Sequence, residues 1–123
     1  MYTDILTRIR NAQAARKKAL KVRYTTMDLA VLELLKRRGF VGEIEVKGRL
    51  PKRVIEVQLN HGTPIRGGRF LSRPSIRRYV GFRDLRRVKG GYGLLVLSTP
   101  KGIMAGEEAR RSKVGGQLLF EVW

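Results

Sequence analysis

The sequence predicts an α+β protein of two lobes. An N-terminal α-β-α-β-β lobe takes residues 1–61, and a C-terminal, mostly antiparallel β lobe with a short helix takes residues 62–123. Three observations predict this. Two segments in the first half carry apolar residues at helical spacing beside helix-capping residues. Short runs of alternating apolar and polar residues separate and follow them. The second half is rich in glycine and strand formers and holds one short helix-compatible stretch.

In the first lobe, Thr3 is placed to cap a helix, with Asp4 in its first turn, where a carboxylate suits the helix dipole. Ile5, Leu6, Ile9 and Ala12, with Gln13 or Arg16, form one face of that helix, which should fade over 14–18. Leu20, Val22 and Tyr24 alternate with Lys21, Arg23 and Thr25 as a half-buried strand. Thr26 caps the second helix, whose apolar face is Leu29, Ala30, Val31, Leu32, Leu34 and Leu35. Lys36, Arg37 and Arg38 fall in its last turn, and Gly39 supplies a left-handed stop. Phe40 and Val41 open the next strand, which continues through Ile44 and Val46. A turn over 48–52 returns the chain as a hairpin partner through Val54 or Ile55, Val57 and Leu59.

Residues 60–64 (NHGTP) read as a linker of turn-forming residues. Beyond it, Phe70 and Leu71 mark one strand, 76–80 another, and 84–87 a short helical turn. Leu94, Leu95, Val96 and Leu97 form the clearest buried strand. Residues 98–102 read as a loop and 105–111 as a helix. Val114, Gly115 and Gly116 make a turn, and 118–123 a closing strand.

The chain has 123 residues, with 27 Lys and Arg against 10 Asp and Glu, a net charge of +17. Such a charge favours a polyanionic partner. An apolar content of 42 % is too high for a disordered basic tail. The charge divides almost evenly, +8 before residue 62 and +9 after it, so no detachable tail carries it. The densest stretch, 66–89, holds Arg66, Arg69, Arg73, Arg77, Arg78, Arg83, Arg86, Arg87 and Lys89 against one acid, Asp84. Arginine forks match phosphate oxygens and stack on bases, which suits nucleic acid better than solvation alone. With no cysteine, disulfide scaffolds and thiolate zinc sites are excluded, and a single histidine excludes a two-histidine metal motif. No apolar run reaches membrane-span length, and residues 1–10 lack a signal peptide's apolar stretch. The expectation is a soluble protein of a reducing or redox-neutral compartment, without membrane contact, metal or cofactor.

No residues support catalysis. Gly90, Gly91, Tyr92 and Gly93 precede a strand and lack the lysine of a phosphate loop. Glu43 and Glu45 alternate with apolar residues and so face solvent, while Glu107 and Glu108 open a helix. His61 has no acid or nucleophile beside it. More informative is Ser98-Thr99-Pro100-Lys101-Gly102. Its hydroxyls and backbone amides suit the 2′-hydroxyls, phosphates and base edges of RNA. The same residues also suit a plain strand-to-helix turn, the hydroxyls serving local backbone groups.

Several motifs, in order along the whole chain, resemble the bacterial type of small-subunit ribosomal protein eight. They are Thr7-Arg8-Ile9-Arg10-Asn11-Ala12, Leu35-Lys36 with Gly39-Phe40-Val41, and Ser72-Arg73-Pro74 with Arg77-Arg78-Tyr79-Val80. The C-terminal third is the most specific: Gly91-Tyr92-Gly93, Ser98 to Met104, Glu108-Ala109-Arg110, Val114-Gly115-Gly116 and Glu121-Val122-Trp123.

The resemblance implies a structural, non-enzymatic, cytoplasmic constituent of the ribosome. It would bind an irregular helix of the small-subunit rRNA central domain and help assemble the platform, beside neighbouring small-subunit proteins. Repression of its own operon through messenger RNA is the alternative on the same surface. By motif position, Ser98, Thr99, Pro100, Lys101 and Gly102 become the principal RNA loop. Tyr79 with Arg77, Arg78 and Arg73 forms a second contact surface, Gly115, Gly116 and Gln117 approach RNA near the loop, and Thr3, Arg10 and Asn11 contribute backbone contacts. Three positions depart from the family pattern. Pro100 stands where a serine is usual, Gln117 where a glutamate is usual, and Ser75-Ile76 where a glycine follows the Ser-Arg-Pro motif.

Overall fold

Why each segment takes its form is visible from its ends and its buried face. A computed structural model describes residues 2–49, 51–59, 64–72, 77–85 and 93–123, with the side chains of Tyr2 and Thr3 excepted. Expectations for residues 60–63, 73–76 and 86–92, Arg73 and most of the linker among them, lie outside the described residues. The chain divides into two compact units, Met1–Ile65 and Arg66–Trp123.

In the first unit, α1 (Tyr2–Ala14) buries Ile5, Leu6, Ile9 and Ala12, the stripe expected from their spacing. The helix begins one residue before Thr3, so Thr3 lies within it and does not cap it. Gln13, half-buried, donates from Nε2 to the Phe40 carbonyl at 2.9 Å and accepts from the Ile65 amide at 3.0 Å. One amide side chain therefore ties the last turn of α1 to two distant backbone segments.

Strand β1 (Ala19–Arg23) follows, then α2 (Thr26–Arg37). The cap of α2 is Thr25, not Thr26: its side chain accepts from the Asp28 amide at 3.0 Å. Thr25 keeps extended backbone angles while Thr26 is already helical, and a capping hydroxyl must stand outside the helix to reach back to it. Val31, Leu32, Leu34 and Leu35 are buried. Gly39, at φ +80°, closes the helix as expected, with Phe40 N–H donating to the Leu35 carbonyl. Phe40 and Val41 are buried but precede the strand, which starts only at Ile44 as β2 (Ile44–Lys47).

Strand β3 (Val54–Gln58) lies between β1 and β2, antiparallel to both. Pleat alternation puts Val22, Ile55 and Val57 on the buried face. The other face carries charge in register, Lys21 opposite Glu56 opposite Glu45. Glu56 meets Lys47 at 3.1 Å and Lys21 at 3.9 Å, and Lys47 reaches Glu45 at 3.8 Å. The hydrogen bond to Glu56 and the charges of Glu45 and Glu56 hold the Lys47 ammonium above the ordinary lysine value. A raised folded value means that this pairing is fully present at neutral pH and fades only as pH rises through that value in the alkaline range.

Among its described residues, the second unit is a five-stranded antiparallel sheet with one α-helix. Its strands are β4 (Gly68–Phe70), β5 (Tyr79–Val80), β6 (Leu94–Thr99), β7 (Gly102–Ala105) and β8 (Gly116–Val122). The expected helical turn is a 3₁₀ turn two residues earlier, Phe82–Asp84. Helix α3 (Gly106–Arg111) has Glu107 and Glu108 early and Arg110 and Arg111 late. β8 pairs with β4, β5 and β6, and β7 pairs with the other edge of β6. Leu85, Leu95, Leu97, Met104 and Ala109 form the core cluster on one face of this sheet.

One correction here shapes the site, together with an irregularity in β8. The loop expected over 98–102 is a hairpin: Ser98 and Thr99 end β6, Gly102 begins β7, and Pro100 and Lys101 alone turn the chain. In addition, β8 carries a bulge, since Val96 pairs with Phe120 but Leu97 pairs with Leu118. The extra residue is Leu119, and it and Phe120 are both buried.

Candidate nucleic-acid interface

The hairpin tip comes first. Proline presets φ at the first turn position, so Pro100 suits the place where the resemblance expects serine. Thr99 is buried, and its hydroxyl holds the turn: Oγ1 donates to the Gly102 carbonyl at 2.8 Å and accepts from the Lys101 amide at 3.1 Å. Gly102 stands at φ +116°, where L side chains rarely fit, although open space surrounds its missing Cβ. Lys101 is exposed at the tip.

Thr99→Val keeps the side-chain shape and removes both hydrogen bonds. It is expected to cost about 1–3 kcal/mol of local stability. Amide exchange at Lys101 should accelerate; an unchanged exchange rate would refute the role given to this hydroxyl.

Because side chains alternate along a strand, Ser98 points to the face opposite Thr99 and Leu97. Its lateral partner on β8 is Gln117, and the partner of Gln117 on β5 is Tyr79. Tyr79, Gln117 and Ser98 thus form one row across three strands, on the face away from the core cluster. Neighbouring strands are about 4.8 Å apart, which places Tyr79 and Ser98 roughly 10 Å apart. Tyr79 is 69 % exposed, unusual for a large aromatic. Among the described residues, the Tyr79 and Ser98 hydroxyls and the side-chain amide of Gln117 have no hydrogen-bond partner.

The row lies along an open groove of about 450 Å³, lined by Tyr79, Val80, Gly81, Ser98, Thr99, Pro100, Gly115, Gly116 and Gln117. Glycine is required at two places in its wall. A Cβ on Gly115 would overlap the Val80 carbonyl oxygen, and one on Gly116 the Ser98 carbonyl oxygen. The backbone itself forms that wall, and backbone can approach a ligand more closely than any side chain.

Seven of the residues proposed from sequence therefore line one groove, and Lys101 and Gly102 adjoin it. Tyr79, assigned to a second surface by the resemblance, shares the row of Ser98. Arg77 and Arg78 are exposed just before β5. Their position is set by Ser72, buried at 3 % exposure, whose Oγ accepts from the Arg78 amide at 2.9 Å, while the Arg78 carbonyl accepts from Leu118 N–H at 2.8 Å. Ser72, Val80 and Gly81 were not singled out as site residues by sequence. The Ser72-Arg73-Pro74 motif was the available signal for Ser72. Elsewhere in the arginine run, Arg69 pairs with Glu121 at 3.4 Å and Arg83 lies over the Phe82 ring.

In the first unit, Thr7, Arg10, Asn11 and Ala14 fall at helical spacing on α1 and line a second groove of about 560 Å³ with Gln13, Pro64 and Ile65. Arg10 and Asn11 are exposed there. Thr3 belongs to the preceding turn of the same helix. No group of acidic, histidine or cysteine side chains suited to a metal occurs among the described residues, nor does a helix long and apolar enough to cross a membrane.

The family model for ribosomal protein S8 matches residues 1–123. This chain belongs to the ribosomal protein S8 family. Relatives named small ribosomal subunit protein uS8 agree along nearly the whole length. The one from Roseiflexus castenholzii is 42 % identical over 125 residues, covering 98 % of this chain and 94 % of the relative. That from Dictyoglomus thermophilum is 42 % identical over 123 residues with the same coverage. A Helicobacter pylori relative is 37 % identical over 127 residues, covering all of this chain and 97 % of its own. The S8 family is structural and non-enzymatic, and the mixed helix and antiparallel sheet described above agree with its α+β fold.

Proposed function

We propose that this S8-family chain is a structural constituent of the small ribosomal subunit, in the cytoplasm, and binds an irregular helix of the rRNA central domain through the groove of its second unit. The observation that carries this is the Tyr79–Gln117–Ser98 row beside a glycine backbone wall. An exposed ring offers a stacking platform for a base taken out of the helix. The hydroxyls and the amide can read base edges and 2′-hydroxyls. The backbone wall lets the sugar-phosphate chain approach closely. An intact duplex presents neither splayed bases nor an accessible major groove, so this combination suits an irregular RNA. Arg77, Arg78 and Lys101 supply phosphate contacts at the groove's margins, and Arg10, Asn11 and Thr3 supply them from the first unit. Partners are rRNA and neighbouring small-subunit proteins. Repression of its own messenger would use the same groove on an RNA that copies the rRNA fold.

Binding to a fragment of the central-domain helix is expected to weaken steeply with salt, log affinity falling linearly with log salt concentration. A nearly flat slope would reject phosphate-driven binding. Ser98→Ala is expected to weaken the fragment by about 1–3 kcal/mol while leaving a plain RNA duplex almost unaffected. Equal losses on both RNAs would remove Ser98 from the reading surface.

A further inference from the structure

All three α-helices among the described residues end with the same pair of backbone hydrogen bonds around a residue in the left-handed region. In α2 that residue is Gly39, which adopts the conformation freely. In α1 it is Arg16 at φ +57°, and in α3 it is Lys113 at φ +56°. For α3 the bonds run from Lys113 N–H to the Arg110 carbonyl at 3.2 Å and from Val114 N–H to the Ala109 carbonyl at 3.0 Å. Glycine would make both bonds without steric strain, since neither involves the side chain. Lysine in this conformation is disfavoured, and such outliers collect where function holds them.

The helix dipole does not account for Lys113. Helix α3 has only six residues and already carries Arg110 and Arg111 in its last turn. A third cation there adds mutual repulsion, which an approaching polyanion would relieve. Lys113 is exposed and has no ion-pair partner among the described residues. Two residues further on stands Gly115, locked into the groove wall by the Val80 carbonyl. Two residues of chain span at most about 7 Å, so the Lys113 backbone lies at the groove's rim.

We propose that Lys113 is a further RNA-binding residue, contacting a phosphate at the rim of the groove. The inference rests on the groove being the RNA site. Lys113→Gly removes the charge and the strain together. It is expected to bind the central-domain fragment about five- to tenfold more weakly at 0.1 M salt, to lower the salt slope by about one, and to unfold at the same or a higher temperature. Lys113→Arg should keep both affinity and slope. Lys21→Gln removes one charge from the carboxylate-paired face of the first unit and should leave the slope as it is. If the wild type prefers the fragment over a plain duplex and Lys113→Gly matches it in affinity and slope, the inference is overturned alone. Equal losses for Lys113→Gly and Lys21→Gln also overturn it, by assigning the effect to net charge. If the wild type shows no such preference, the groove's proposed function falls and this inference with it.

Discussion

Gly116→Ala is expected to destabilise the second unit by at least about 2 kcal/mol and to abolish selective RNA binding. The added methyl would overlap the Ser98 carbonyl oxygen and approach the Ser98 carbonyl carbon to 2.9 Å and the Thr99 Cα to 3.1 Å. These atoms are all backbone, so no rotamer change relieves the clash. β6 and β8 must separate where Ser98 pairs with Gln117, which breaks the row that lines the groove. Trp123, the single tryptophan, lies in the same unit, and its fluorescence reports the unfolding of that unit. A fall in unfolding temperature on the order of 10 °C is expected. An unchanged transition with intact RNA affinity would show that the two strands are not held this closely. Gly102→Ala is the informative contrast: a strained φ without overlap should cost less and act locally at the hairpin tip.

Tyr79→Ala should separate binding from stability in the opposite sense. The ring is largely solvent-exposed on a two-residue edge strand, so its removal should change stability by no more than about 0.5 kcal/mol. Loss of a base-stacking platform removes about 1–3 kcal/mol of binding energy, which is roughly a 5- to 150-fold weaker complex. Tyr79→Phe keeps the stacking face, so any residual loss measures the hydroxyl alone. Titration of both variants against the central-domain fragment and a plain duplex checks this. Tyr79→Ala binding the fragment as tightly as the wild type would exclude stacking.

The elements were legible in sequence wherever a short-range pattern defines them. The α1 stripe, the buried face of α2, the Gly39 stop and the apolar run of β6 follow from spacing and local chemistry, and they fall where expected. The misplacements lie at ends. Thr25 and Thr26 are chemically equivalent caps, and only the backbone geometry of the entering chain chooses between them. The sequence pattern puts Gly102 at the end of a loop and Ala105 at the start of a helix, with no strand between them, where the structure has β7. Its four residues acquire strand character only by pairing with β6, at the register Thr99 to Gly102.

The same limit applies to the site. Ser98 and Thr99 read as two equivalent hydroxyls while β6 is taken to end at Leu97. Once the strand runs on to Thr99, the pleat divides them: Ser98 faces the groove and Thr99 fastens the turn. Nothing local announces that Tyr79, Ser98 and Gln117 meet, because they come from strands brought together only by the pairing of β8 with both β5 and β6. Lys113 likewise looks like one more surface cation until its φ is known.

By itself the sequence determined the α+β class, the near-even division of a +17 charge and the family motifs, because composition and short periodicities fix these without reference to distant residues. Only the tertiary structure decided which face each hydroxyl takes, which glycines have no room for a side chain and which cations, Arg16 and Lys113, adopt the left-handed conformation. Each of these depends on register and on atoms far apart in the chain, and a one-residue change in strand register would reverse the face of every side chain in the row.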